Sequence, residues 1–102
     1  MKLAWIMWLA SVLPPQAADS LCLSTTVYLE ARDQSERGQQ AVAEVALRRE
    51  ESGLWGDSMC DVVTARKQFA PTIVSPQTRL GNADAWVRAV TVSLEVMSTT
   101  VC

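Results

Sequence analysis

One glutamate has the residue type and spacing to do chemistry. Glu30 falls three residues after Val27 and seven after Leu23, at the edge of an apolar helical stripe that continues to Ala31. A carboxyl so placed is partly desolvated, and desolvation disfavours its charged form. The resulting rise in pKa is what a general acid needs near neutral pH. Tyr28 and Arg32 flank it. The competing reading is an edge carboxylate paired with Arg32, Arg48 or Arg66. Glu44 is the rival acid, but it follows Gln40 on the polar side of its helix, where a solvated or ion-paired state is expected. Glu36, Glu50 and Glu51 read as solvated surface. The chain has no histidine, which excludes a Ser-His-Asp triad, a Cys-His dyad and any His-bearing metal site.

The acid needs elements to hold it. Leu23 to Arg32 reads as a first helix, and Asp33-Gln34-Ser35 as a turn. Ser35 can cap a second helix, with Glu36 favourably in its first turn. That helix runs to about Arg49 with an inner stripe of Gly38, Ala41, Val42, Val45 and Ala46, and Leu47 beside it. These small side chains allow a partner helix to approach closely. Arg48 and Arg49 sit at its C-terminal end, where the helix dipole favours cations. A loop from Glu50 to Gly56 carries Leu54 and Trp55. Asp57 is a good N-cap for a short helix with Met59, Val62, Val63 and Ala65. From Gln68 to Thr78 the chain reads as irregular, because Pro71 and Pro76 block helix, with Thr72-Ile73-Val74 as a short extended piece. Asn82 or Asp84 caps a last helix to about Ser98, whose apolar positions are Trp86, Ala89, Val90, Leu94 and Met97. The expected fold is mainly α, with about four helices and a loop-rich middle.

Length and composition bound the rest. The 102 residues suffice for one domain. A net charge of −2 lacks the basic surplus of a nucleic-acid binder. Lys2 precedes the eleven-residue run Leu3–Leu13, followed by Pro14-Pro15-Gln16-Ala17-Ala18-Asp19-Ser20, the layout of a secretory signal. As a helix the run spans about 16 Å, roughly half the hydrocarbon core of a bilayer. A cut after Ser20 fits better than one after Ala18, because it places Ala18 at the −3 position. The expected organisation is therefore a signal peptide over residues 1–20, alternatively an uncleaved membrane anchor, and a domain over 21–102. The expected site of action is periplasmic or extracellular. Cys22, Cys60 and Cys102 all lie beyond the leader, where two of them can oxidise. Cys22–Cys60 and Cys22–Cys102 would each close a long loop, and the sequence does not choose between them. Their scattered spacing argues against a metal site.

The stretch Thr26-Val27-Tyr28-Leu29-Glu30-Ala31-Arg32, followed by Glu36-Arg37-Gly38-Gln39-Gln40-Ala41-Val42-Ala43-Glu44-Val45-Ala46-Leu47-Arg48-Arg49, resembles the opening motif of the SleB-type cell-wall hydrolases. That family includes spore-cortex-lytic enzymes and related phage endolysins. Met59-Cys60-Asp61-Val62-Val63 and Gln68-Phe69 resemble a second block of the family pattern, so the likeness covers about residues 22 to 97. Ala70-Pro71 stands where the family has Ser-Trp, and the domain is short at its C-terminal end against the family pattern. The resemblance implies a small lysozyme-like helical domain that cleaves the glycan strands of peptidoglycan. It matches Glu30 to the catalytic acid acting between N-acetylmuramic acid and N-acetylglucosamine. It matches Gln68 and Phe69 to the lining of the substrate groove, with Tyr28 adjacent. It implies no cofactor and no metal, peptidoglycan rather than nucleic acid as partner, membrane contact only through an uncleaved leader, and a monomer. One acid suits the lytic-transglycosylase route, in which the substrate's own 6-hydroxyl closes a 1,6-anhydro ring. Hydrolysis by paired carboxylates needs a second acid about 5–9.5 Å away, for which Asp33 and Glu44 are the candidates. Trp55, in a loop, reads equally as a sugar platform and as core; Trp86, at helical spacing, reads as core. The alternatives are a non-catalytic exported module that binds glycan or protein, and a membrane-anchored lysis factor that works through its leader.

Overall fold

The computed structural model describes residues 1–65 and 69–99. Its centre is α2 (Pro15–Ala31), which packs against every other helix. Proline is suited to the first helical turn, where no intrahelical N–H bond is required, so α2 begins at Pro15 rather than at Leu23 as the sequence suggests. Ser24, Thr25, Thr26, Val27 and Tyr28 are all buried. The threonines survive there because each hydroxyl donates to the carbonyl one turn back, Thr25 to Leu21 at 2.7 Å and Thr26 to Cys22 at 2.9 Å.

Before it lies α1 (Leu3–Val12). Leu3, Ile6 and Ala10 are buried, while Trp5, Trp8 and Val12 face outward. The chain around Lys2 pairs with the segment before the last helix: Leu3 N–H donates to Thr78 O and Leu80 N–H to Met1 O, each at 2.8 Å. Asp19 accepts from Met59 N–H at 3.1 Å. In the intact chain, residues 1–20 thus pack on the domain, and α2 runs unbroken through Ser20.

Helix α3 (Glu36–Ser52) starts at the expected Ser35 cap, whose hydroxyl accepts from Gly38 N–H. It ends at Ser52, three residues beyond the expected Arg49, and is followed by the C-cap Gly53, whose φ of 71° suits a residue without Cβ. Short α4 (Met59–Val63) is capped by Ser58, which accepts from Asp61 N–H at 3.1 Å; the expected cap Asp57 lies one residue too early. The expected extended piece at Thr72–Val74 is largely helix instead. In α5 (Ala70–Ile73), Pro71 occupies the opening turn, where a missing N–H costs nothing. Asn82 rather than Asp84 caps α6 (Ala83–Thr99), its Oδ1 accepting from Ala85 N–H at 3.0 Å. The fold is mainly helical as expected, with four long helices and two of about one turn, and no strand among the described residues.

Helix phases differ from the expected ones. In α3 the buried side is Gln39, Ala43, Ala46 and Leu47, while Ala41 and Val45 are exposed. In α6 it is Ala85, Ala89, Val92, Ser93 and Val96, leaving Val90 and Leu94 outside. Trp86 is half-buried, 5.1 Å ring to ring from Tyr28, and donates from Nε1 to Leu80 O at 2.9 Å, so it serves the core as expected. Small residues set both phases, because they let α3 and α6 approach α2 closely.

The cysteine choice is settled in favour of Cys22–Cys60, which joins α2 to α4 with Cα atoms 5.2 Å apart. Cys102 lies outside the described residues.

Candidate active site

Glu30 sits in the last turn of α2, one residue before the helix ends. It borders an open cleft of about 300 Å³ with Ala41, Val42, Val45 and Arg49 of α3 and Phe69 at the start of α5. These α3 residues recur at helical spacing, so they form a stripe. That stripe, expected to be core, is instead the cleft wall, which explains why Val45 remains 39% exposed.

Burial pushes the Glu30 carboxyl above the usual carboxylate range. A hydrogen bond from the Ala70 backbone N–H and the positive charge of Arg49 oppose the shift without cancelling it. A carboxyl that holds its proton longer, yet stays open to solvent, can donate that proton to a ligand in the cleft. Glu50, expected to be solvated, is half-buried and also pushed upward, by burial first and then by Asp19 and Glu51. It does not line the cleft.

The other expected site residues divide. Phe69 joins the cleft and lies against Arg49, whose guanidinium carbon is 4.9 Å from the ring centroid. Trp55 is half-buried behind the same guanidinium, at 5.2 Å, and is not part of the cleft wall. Tyr28 is corrected from substrate contact to core: it is 1% exposed and accepts from Asn82 N–H at 3.1 Å. Two positions from Glu30 on a helix lie on nearly opposite sides, so the tyrosine cannot share the cleft. Glu44 faces a different groove, between α3 and α6, and pairs with Arg48 at 3.8 Å. Asp33 lies exposed in the turn after α2, away from the cleft wall. Gln68 lies outside the described residues. Sequence reasoning missed Arg49 and the Ala70 N–H. The available signal was a second apolar stripe on α3, since a helix apolar on two sides must face two things.

A larger concavity, about 430 Å³, lies between α1 and α6. Its walls carry no acidic side chain, so it offers no general acid. No group of residues suited to holding a metal ion occurs among the described residues, and no described helix is long and apolar enough to cross a membrane.

Fold and cleft together give a small helical domain with the Glu30 carboxyl at the edge of an open cleft. A family model described as Cell Wall Hydrolase matches residues 33–100, two thirds of the chain, and the chain belongs to that family. No curated protein and no solved structure matches it. Membership makes peptidoglycan the substrate and the cell wall the site of action. The match begins three residues after Glu30, so the case for that acid rests on the cleft.

Proposed function

We propose that the protein is a lysozyme-like lytic transglycosylase that cleaves peptidoglycan between N-acetylmuramic acid and N-acetylglucosamine, with Glu30 as its acid. The observation that carries this reading is the placement of a partly desolvated carboxyl in a cleft walled by Ala41, Val42, Val45 and Phe69. Protonated Glu30 gives its proton to the glycosidic oxygen as the bond to the anomeric carbon breaks. The carboxylate left behind accepts the proton of the muramoyl 6-hydroxyl, and that oxygen closes the anhydro ring. The proton count returns to its start in one turnover, with no water consumed. Neither Asp33 nor Glu44 borders the cleft, which favours this route over one with a second carboxylate.

The test is digestion of purified peptidoglycan by the full chain and by its Glu30→Gln variant, with mass analysis of the products. Anhydro-ended fragments made by the wild type and missing from the variant are expected. Products heavier by one water would make the enzyme a hydrolase, and equal digestion by both proteins would remove Glu30 from the mechanism.

Residues 1–20 are proposed to direct export. The bond after Ser20 lies inside α2, and a helical bond is closed to a peptidase, so processing has to precede folding. The mass of the exported chain distinguishes a cut there from a retained α1.

A further inference from the structure

Resting on the peptidoglycan-cleaving reading of the Glu30 cleft, we propose that Arg49 is a specificity-determining residue: its guanidinium takes a carboxylate of the peptide stem carried by the glycan. The cleft thereby distinguishes an acidic wall glycan from a neutral glycan of the same backbone. Among the described residues that border the cleft, Glu30 and Arg49 are the ionisable ones. Ala41, Val45 and Arg49 follow one another at four-residue steps, so the apolar wall ends in a cation about 12 Å from its start. A strand lying along this wall with its scissile bond at Glu30 brings a substituent past Arg49.

The guanidinium is also held in place. It lies over the ring of Trp55 at 5.2 Å and over that of Phe69 at 4.9 Å. Aromatic contacts restrict a long, flexible side chain, which lowers the ordering cost when a ligand binds. The planar fork of arginine matches a carboxylate with two parallel hydrogen bonds, and lysine cannot reproduce that geometry. This gives Trp55 a role in positioning Arg49 rather than as a sugar platform.

The experiment measures binding in the full-length Glu30→Gln protein, which separates affinity from any effect of Arg49 on the acid. The probes are soluble glycan fragments from peptidoglycan with stem carboxylates either free or converted to amides. The expected result is about tenfold or greater preference for free carboxylates, the scale of a charge-assisted hydrogen bond. That preference should vanish with Arg49→Gln and fall severalfold with Arg49→Lys, which keeps the cation over both rings. Equal affinity for the two probes, a preference that survives Arg49→Gln or is unchanged in Arg49→Lys, or binding to neither probe would overturn the proposal. So would binding abolished when phosphate polymers are stripped from the fragments. The proposed reaction is judged separately, by whether protein with Glu30 intact forms anhydro ends.

Discussion

Breaking the Cys22–Cys60 bridge should cost this domain a large part of its stability and, with it, the cleft. The two residues are 38 apart in sequence. A closed loop of that length removes chain entropy from the unfolded state worth about 4 kcal/mol, against a total of about 5–15 kcal/mol for an ordinary domain. At about 4–8 °C per kcal/mol for a chain of this size, the midpoint should fall by roughly 15–30 °C. The loss reaches the site because α4, pinned to α2 by Cys60, leads into the segment that supplies Phe69 and the Ala70 N–H. The assay is thermal unfolding of the full chain as wild type, as the Cys22→Ala/Cys60→Ala double variant and as Cys102→Ala, each with and without reductant. Reduced wild type should melt near the double variant, and Cys102→Ala should melt with oxidised wild type. A wild-type midpoint that ignores reductant would refute the reasoning, as would a Cys102→Ala midpoint as low as that of the double variant.

The acid itself sets a pH dependence. Because the folded pKa of Glu30 is raised, the native state binds the proton more tightly than the unfolded chain. Stability should therefore fall as pH rises from the ordinary carboxylate range through the raised value. Glu30→Gln should flatten that fall in urea titrations across pH, and wild-type digestion should decline over the same upper limb; a variant with the wild-type slope would count against the shift. Ala41→Trp fills the cleft from an exposed position, so it should abolish digestion while unfolding stays within about 0.5 kcal/mol of wild type; undiminished digestion would place the substrate elsewhere. Tyr28→Phe leaves Asn82 N–H without its acceptor and should cost about 0.5–1.5 kcal/mol in denaturant unfolding with KM unchanged. A raised KM at full stability would instead return Tyr28 to the substrate.

Much of the local structure was legible in the chain because it depends on near neighbours. The Ser35 cap, the Asn82 cap and the helical span they open follow from side chains that satisfy backbone groups three residues away. Glu30 was visible for the same reason, since a carboxyl on an apolar edge is a property of helical spacing alone. The start of α2 and the turn of α5 were misjudged because proline blocks helix interiors yet suits first turns, and only the neighbouring packing decides which applies.

The residues that make Glu30 into a site belong to three separate elements, and no spacing rule links them. Ala41, Val42 and Val45 read as core because apolar residues at helical intervals look alike whether they meet a helix or wall a cleft. Arg49 read as a dipole partner at a helix end, and its place over Trp55 and Phe69 arises only when α3 and the start of α5 are brought together. Tyr28, Asp33 and Glu44 are near the acid in sequence or share its charge, but helix phase turns Tyr28 and Glu44 away from the cleft and Asp33 lies in the turn beyond α2. Composition and periodicity determined the helical class, the place of Glu30 at an apolar edge and the supply of cysteines. Tertiary packing chose Cys22–Cys60 and assembled the cleft, because close approach across the chain depends on which helix faces bury together.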